Sequence, residues 1–249
     1  MTAEAGKTML LLGATSDIGR AIATAYAAAG WRIILAARNC GRCERDARHL
    51  TTRYATSIEV VEFDVLAADD FQAFLNHLPQ LPDTVISVIG MLGDQARAGL
   101  DMSHATEILR SNFEGPCLFL EIVANRMAHR GHGTLVCLSS VAGERGRAAN
   151  YIYGSAKAGC TAYLSGLRNR LAKRGVHVLT VKPGYVRTRM TEGMTLPKLL
   201  TAEPDVVGAA VYRAAEQKKR DVIYVLPVWR GVMFIVRSIP EWLFKQLSI

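Results

Sequence analysis

Three side chains near the middle of the chain have the types and spacing to move a proton. Tyr153 and Lys157 stand four residues apart, and on a helix that spacing puts both on one face, one turn from each other. An ammonium beside a phenol favours the phenolate, so Tyr153 is suited to giving up a proton and taking it back. Ser140 closes an apolar run, Thr134-Leu-Val-Cys-Leu138 followed by Ser139, and a hydroxyl there can face the phenol and hold a substrate oxygen between them. That is a minimal apparatus for general acid–base work at a carbon–oxygen bond, provided something else carries the hydride. A Tyr and a Lys at this spacing are also common as an ordinary surface pair. Tyr151 lies six residues from Lys157 on another helical face, and Tyr163 has no lysine at a useful distance. The chemistry therefore requires a site for a hydride carrier in the same chain.

The elements that would position these groups alternate along the chain. Lys7 to Leu12 is a short apolar run ending in Gly13-Ala-Thr-Ser-Asp-Ile-Gly19, with an alanine-rich helical pattern from Arg20 to Ala29. A buried parallel strand, a glycine turn and a helix amino terminus make an anion site where backbone N–H groups meet a pyrophosphate. Trp31 to Arg38 reads as a second strand, and its end carries Ala37-Arg38 rather than an acid. An acid there would bond the ribose 2′-hydroxyl and repel a 2′-phosphate, whereas a guanidinium pairs with that phosphate. NADP(H) is thus favoured over NAD(H), which stays open, as does a solvent-facing role for Arg38. Ile58 to Phe63 reads as a third strand, ending at Asp64-Val65, where Asp64 either accepts from an adenine amino group or caps the next helix. Thr84 to Gly90 reads as a fourth, Thr134 to Leu138 as a fifth, Val176 to Lys182 as a sixth and Asp221 to Leu226 as a seventh.

Ser103 to Arg130 is a long helical stretch with Asn112 in its middle, where asparagine marks a bend or a bound water. The pattern predicts an α/β fold of the Rossmann type: one doubly wound parallel sheet of seven strands, order 3-2-1-4-5-6-7, with helices on both faces. Ligands in such a sheet collect at the carboxyl ends of the strands. Gly13, Gly90, Ser140 and Pro183-Gly184 all fall there, so one crevice is expected to gather them.

Composition narrows the classes. At 249 residues, with no internal repeat or linker, 1–249 reads as one nucleotide-binding domain closed by an apolar and basic tail over 229–249. The net charge of +8 suits anionic ligands or anionic membrane surfaces. Nucleic acid is not expected as a partner, because the basic residues are dispersed and no reading motif accompanies them. Glu4 and Lys7 interrupt any leader pattern, and no run of eighteen apolar residues occurs, so a cytoplasmic protein is expected. Five cysteines make an odd count that argues for free thiols, and the lone Cys40-Gly-Arg-Cys43 lacks a second ligand pair, so no metal is expected.

Taken together these motifs resemble the short-chain dehydrogenase/reductase family over essentially the whole chain. The family's glycine motif matches Gly13, Thr15, Ser16, Asp17, Ile18 and Gly19. Its catalytic tetrad falls on Asn112, Ser140, Tyr153 and Lys157, with Ser139 one place off the spacing. The resemblance implies that Pro183 and Gly184 flank the nicotinamide, that Val186 and Thr188 lie along the cofactor, with Thr188 on its phosphates, and that Asp64-Val65 contacts adenine. It also implies a homodimer or homotetramer through the helices carrying Asn112 and Tyr153. Two departures stand out. Asp17 replaces a customary glycine, and Ser87-Val-Ile-Gly90 keeps only the glycine of the family's asparagine-alanine-glycine stretch.

A narrower resemblance, at 139–154, 183–190 and 237–249, is to members that reduce keto-pentoses carried on a polyprenyl phosphate. It implies a lipid-linked carbonyl substrate beside the simpler possibility of a small ketone. Arg145 and Arg147, on the loop before Tyr153, are the candidates for gripping a substrate phosphate, with solvated loop charges as the alternative. The tail places Trp229, Phe234, Trp242 and Phe244 among Arg230, Arg237 and Lys245. It either packs on its own domain or a partner subunit, or makes peripheral contact with a membrane. A nucleotide-binding sensor without catalysis is the competing class, and an intact tetrad argues against it. A sugar-nucleotide epimerase is disfavoured, since the chain ends about where a larger substrate domain would begin.

Overall fold

The computed structural model of the protein describes residues 6–247. The final two residues of the tail, 248–249, lie outside the described residues. Strand β1 (Thr8–Leu12) is an interior strand of the sheet, and every residue of it is buried. That is the behaviour of a parallel strand covered on both faces. Helix α1 (Asp17–Ala28) follows the glycine turn, β2 (Arg32–Ala37) pairs beside β1, and α2 (Cys40–Tyr54) leads to β3 (Ile58–Glu62). The chain continues through α3 (Phe71–His77), β4 (Thr84–Ser87), α4 (Gln95–Ala98) and α5 (Met102–Leu109) to α6 (Gly115–Arg130) and β5 (Gly133–Leu138). Helix α7 (Tyr151–Leu171), β6 (Val176–Lys182), β7 (Tyr185–Val186), β8 (Thr201–Ala202) and α8 (Pro204–Gln217) come next. The described chain closes with β9 (Val222–Tyr224), α9 (Val228–Ser238) and α10 (Glu241–Phe244).

Seven parallel strands form one sheet in the order β3-β2-β1-β4-β5-β6-β9. This is the expected order, with β9 as the seventh strand. Two short strands escaped the sequence pattern. β7 and β8 pair in parallel, Tyr185 with Thr201 and Val186 with Ala202, and so tie down both ends of the intervening loop. Runs of two residues carry too little alternation to be read as strands.

Each sheet face has its own apolar layer. Met9, Leu11, Ile33 and Leu35 meet α1 and α8 through Ile22, Tyr26, Val207 and Val211. Leu10, Leu12, Val85 and Leu135 meet α6 and α7 through Phe119, Val123, Cys160 and Leu164. Alternate residues of β1 thus feed opposite layers, as the two-residue period of a strand requires. Three of the five cysteines sit in the second layer, and the thiols of Cys137 and Cys160 are 3.6 Å apart. Cys40 and Cys43 lie in the first turn of α2, and burial pushes both thiols up, Cys43 to about 11, so they persist as neutral thiols.

The long stretch around Asn112 is interrupted. Arg110–Glu114 forms a π-helical turn between α5 and α6. A π turn inserts an extra residue into the helix and re-aims its side chains. Here it turns the amide of Asn112, which is 1% exposed, toward the end of β4.

The tail packs on its own domain along one side. Trp229 and Met233 are buried against Val141, with Tyr185 and Leu200 beside them. Glu144, Lys182, Tyr224 and Arg237 lock it down. Lys182 Nζ lies 2.8 Å from Glu144 Oε1, the Tyr224 hydroxyl donates to the same oxygen, and Arg237 Nε is 3.6 Å from Oε2. Burial, together with that bond to Glu144, pushes the Tyr224 phenol up to about 12. Phe234, Ile235 and Trp242 face outward, each about two-thirds exposed.

Candidate active site

Strand ends and one helix build a cavity of about 810 Å³. Its walls include Gly90 after β4, Ser139 and Ser140 after β5, Tyr153 and Lys157 on α7, and Pro183 and Gly184 after β6. Ile18, Val186 and Thr188 line it as well, whereas Gly13 lies just behind, in contact range of Ile89. The crevice expected at the carboxyl ends of several strands is therefore a single space.

Each central side chain is held by its own backbone context. Ser140 has extended φ/ψ and its Oγ accepts from the N–H of Ala142 at 3.1 Å, which aims the hydroxyl while leaving its proton uncommitted. Ser139 is turned the other way: its buried Oγ donates to the Lys157 carbonyl at 2.9 Å and lies 2.6 Å from Thr161 Oγ1. The serine of the expected spacing faces the cavity with hydrogen-bonding capacity in hand, and its neighbour fastens β5 to α7. Tyr153 is half-buried on the first turn of α7, with Lys157 Nζ 5.8 Å from its ring centroid. Tyr151 is half exposed, and Tyr163 donates to Glu121, so neither competes for the role.

Lys157 is only 4% exposed and has no carboxylate partner among the described residues. Its ammonium donates to the carbonyls of Leu138 at 3.0 Å and Ile89 at 3.5 Å, which leaves one of three N–H bonds over. A buried ammonium needs hydrogen-bond partners for every donor. A ribose diol entering the cavity would take the third, and this residue fits a dinucleotide cofactor on those grounds. Gly90 makes the arrangement possible, because a Cβ there would come within 2.9 Å of Asn112 Oδ1 and 3.2 Å of Lys157 Nζ. Asn112 closes the set: its Nδ2 donates to Met91 O at 2.7 Å and Ile108 O at 2.8 Å, and its Oδ1 accepts from Met91 N at 3.2 Å. The amide thus clamps the segment after β4.

The glycine turn is shaped for an anion. Gly13 adopts a left-handed φ of 83° that glycine alone takes without strain. Ser16 caps α1, accepting from Gly19 N at 3.0 Å and donating to Gly13 O at 2.9 Å. Asp17 does not point at the anion site unopposed. Arg189 donates to its carboxylate through the backbone N–H at 2.9 Å and through Nε at 3.2 Å, and reaches Thr15 O at 2.6 Å. Partial burial pushes the Asp17 carboxyl up, but the bonds from Arg189 outweigh it and, with the charges of Arg189 and Arg42, hold the group below the usual carboxylate value. Asp64 Oδ1 accepts from Leu66 N at 3.0 Å, so its carboxylate is partly spent on its own turn, and Val65 is buried beside it. Arg38 is exposed at the end of β2 and engages no other described residue through an ion pair or hydrogen bond.

The two loop arginines part company. Arg147 lines the cavity and forms no ion pair among the described residues. Arg145 is not on its wall: its guanidinium donates to Glu241 at 2.6 Å and lies 4.2 Å from the Phe244 ring centroid. Instead of meeting a substrate phosphate, it fastens α10 to the catalytic loop, because the loop turns its side chain outward while Arg147 turns in.

Sequence reasoning missed other walls. Trp229 sits against Gly184 so closely that a Cβ there would come within 2.0 Å of the indole, and its N–H donates to Leu200 O at 3.0 Å. Gln95, Asn150, Met190 and Met194 also line the space. A lone Gln or Asn in a loop carries no local signal. The glycine at 184 was one, since a side chain absent at a strand end implies something large pressed against it.

Comparison with known proteins agrees with this geometry. The short chain dehydrogenase family matches residues 7–198. An uncharacterized oxidoreductase of Mycobacterium tuberculosis is 38% identical, with 96% of each chain covered. Among solved structures, a short-chain dehydrogenase from Sphingobium yanoikuyae in complex with NADPH superposes with a TM-score of 0.81 at 23% identity, over 94% of this chain and 97% of the other. A bulky-bulky ketone specific alcohol dehydrogenase from Comamonas testosteroni gives 0.78 at 24% identity, over 94% and 95%. A shared fold, a sequence match spanning most of the chain and a cleft that gathers Ser140, Tyr153 and Lys157 lead to one assignment: the protein is an oxidoreductase of the short-chain dehydrogenase family.

Proposed function

We propose that the protein reduces a ketone, or in reverse oxidises a secondary alcohol, with NADP(H) preferred over NAD(H). The observation that carries this reading is the buried Lys157 ammonium, without a carboxylate partner among the described residues, on the wall shared with Ser140 and Tyr153. When bound, the nicotinamide supplies the hydride to the carbonyl carbon. Tyr153 gives its phenolic proton to the carbonyl oxygen as charge develops there, and Ser140 donates a hydrogen bond to the same oxygen. Lys157 holds the nicotinamide ribose with its remaining N–H. Asn112 anchors the segment after β4 and keeps a water through which the proton is replenished. Gly13, Thr15, Ser16, Asp17, Ile18 and Gly19 carry the pyrophosphate at the start of α1, Asp64 and Val65 the adenine, and Gly90, Pro183, Gly184, Val186 and Thr188 the nicotinamide half. Arg38 pairs with the 2′-phosphate, and Arg42, half-buried in the first turn of α2, adds positive charge.

The substrate we favour is amphiphilic: a keto sugar on a polyprenyl phosphate, as for decaprenylphosphoryl-2-keto-pentose reductase, which the chain resembles at 139–154, 183–190 and 237–249. Arg147 in the cavity is placed for a phosphate, and Met190 and Met194, each about half exposed on its wall, offer an apolar way out for a prenyl chain. The exposed Phe234, Ile235 and Trp242, with Arg230 and Lys245 beside them, suit peripheral contact with an anionic membrane from the cytoplasmic side. Assembly is proposed as a homodimer or homotetramer across the α5–α6 and α7 face, where Met102, Leu109, Phe113 and Leu118 are exposed. Steady-state assays of lipid-phosphate keto sugars against simple ketones, each with NADPH and NADH, test the reading. Turnover of the lipid-linked sugar with NADPH is expected; equal turnover of soluble ketones removes the lipid, and turnover with neither cofactor leaves only a nucleotide-binding protein.

A further inference from the structure

Behind the cavity wall, a buried ion pair joins the two loops that flank the reacting groups. Glu144 ends the 3₁₀ turn Val141–Gly143 that follows Ser140, and Lys182 is the last residue of β6, directly before Pro183-Gly184. Their side chains are 4% and 10% exposed, and Lys182 Nζ lies 2.8 Å from Glu144 Oε1. The same oxygen accepts from the Tyr224 hydroxyl, and Tyr224 on β9 is the register partner of Lys182 on β6. Glu144 Oε2 makes no hydrogen bond among the described residues and lies 3.6 Å from Arg237 Nε. Glu144, Lys182 and Tyr224 are not on the cavity wall, so their effect on the chemistry must pass through other residues. A buried pair of charges is a poor source of stability, since desolvation offsets most of the attraction. Its distinct contribution is a fixed geometry between the elements that carry it.

The turn between them controls how Ser140 is presented. Its start is tied to the sheet by backbone bonds, Ser139 N to Val181 O at 2.8 Å and Val141 N to Pro183 O at 3.0 Å. The Ala142 N–H within it orients the Ser140 hydroxyl. On its other side the turn presses on α7. A Cβ on Gly143 would come within 2.7 Å of the Lys157 carbonyl carbon, and one on Gly154 within 2.9 Å of Ala142 O. The turn therefore lies between the helix carrying Tyr153 and Lys157 and the strand end that leads to Pro183-Gly184. Bonds at its start alone would let its far end lift. The bond from Lys182 to Glu144 is a second point of attachment, and two points fix its tilt as well as its place.

We propose that Glu144 and Lys182 are positioning residues for hydride transfer: their bond sets the Ser140 hydroxyl, which holds the carbonyl oxygen, against the Pro183-Gly184 segment, which flanks the nicotinamide. This rests on the proposed ketone reduction, and it holds for a free or a lipid-linked substrate alike. A misplacement of about 1 Å between reacting groups costs about 100-fold in rate. Breaking the pair thus slows the chemical step. Cofactor binding is spared, because the proposed pyrophosphate, adenine and 2′-phosphate contacts follow β1, β3 and β2, on the other side of the sheet from β6 and β9.

The test is single-turnover oxidation of bound NADPH by saturating ethyl acetoacetate, run with NADPH and with its form deuterated at the transferred C4 hydrogen. Titration of protein fluorescence gives NADPH binding in parallel. Glu144→Ala removes the tie. Glu144→Ala/Lys182→Met removes it without leaving an unpaired buried ammonium, and answers the question should the single variant fail to fold. Glu144→Gln keeps an oxygen for both Lys182 and Tyr224. The variants that break the tie are expected to slow the deuterium-sensitive step by about 10- to 100-fold, with the NADPH dissociation constant within about 3-fold of wild type. Glu144→Gln is expected to stay within about 3-fold of the wild-type rate, which separates the bond from a general effect on folding. A double variant that transfers hydride at the wild-type rate, or whose cofactor binding falls in step with its rate, overturns the positioning role while the reductase assignment stands. So does a Glu144→Gln variant no faster than Glu144→Ala. A wild type that binds NADPH yet oxidises it with neither ethyl acetoacetate nor the lipid-linked keto sugar overturns both.

Discussion

At the level of single residues, the site depends on side chains whose neighbours leave one bond open. Ser140 keeps its proton while accepting from Ala142, and Lys157 keeps one N–H while two carbonyls hold the others. These positions were legible in the sequence because Tyr153, Lys157 and Ser140 sit on a strand–loop–helix whose spacing is itself the signal. Arg145 and Arg147 looked alike, since two arginines separated by a glycine differ only in which way the loop turns them. Trp229, Gln95 and Asn150 could not be found, because a cavity wall is assembled from segments distant in sequence. Arg38 supports a residue-level prediction about the cofactor. Arg38→Gln should lower the NADPH-to-NADH ratio of kcat/KM by about 10- to 100-fold, the worth of one charge-assisted contact to a phosphate. Paired steady-state kinetics with the two cofactors check this, and an unchanged ratio places the 2′-phosphate elsewhere.

Among the elements, the linkage between α1 and the loop after β7 is unusual in its charge logic. Asp17 puts a carboxylate at the helix amino terminus where the proposed cofactor's pyrophosphate would sit, and Arg189 neutralises it. Arg189→Ala should raise the dissociation constant for NADPH by about 10-fold, from about 1–2 kcal/mol of exposed like-charge repulsion. Asp17→Asn in the same chain should recover most of the loss, as titration of protein fluorescence would show. The pH sign follows from the lowered Asp17 carboxyl. The contact contributes in full above the ordinary carboxylate range and is lost only as pH falls through the depressed value, so mild acid should leave it intact. A second element-level prediction concerns Gly184, which was legible as a ligand-side glycine but not as the seat of a tryptophan. Gly184→Ala drives a methyl into the Trp229 ring and should cost about 1–3 kcal/mol, read as a lower Tm, with Trp229→Ala in the same chain relieving part of it.

For the molecule as a whole, the strand order was readable because long buried strands alternate with helices, a pattern that admits few topologies. The π turn at Asn112 and the β7–β8 pair were not, since both are set by what packs around them. The tail was ambiguous in sequence, and the structure divides it: Trp229, Met233 and Phe244 serve the domain, while Phe234, Ile235 and Trp242 remain outside. No described helix is long and apolar enough to cross a membrane. Contact through the tail should therefore be reversible. Co-sedimentation with vesicles rich in anionic lipid should fall several-fold in Phe234→Ser/Trp242→Ser and in high salt, with the turnover of a soluble ketone unchanged. Vesicle binding insensitive to both changes would assign those side chains to a subunit interface instead.

The central claim is that the Tyr153 phenol delivers the proton in the cleft it shares with Lys157 and the nicotinamide. The most direct measurement compares wild type with Tyr153→Phe, following NADPH oxidation by a ketone substrate and NADPH binding in parallel. The account predicts a loss of turnover of about 10³-fold or more, with the dissociation constant for NADPH nearly unchanged. A variant that keeps its turnover would contradict it.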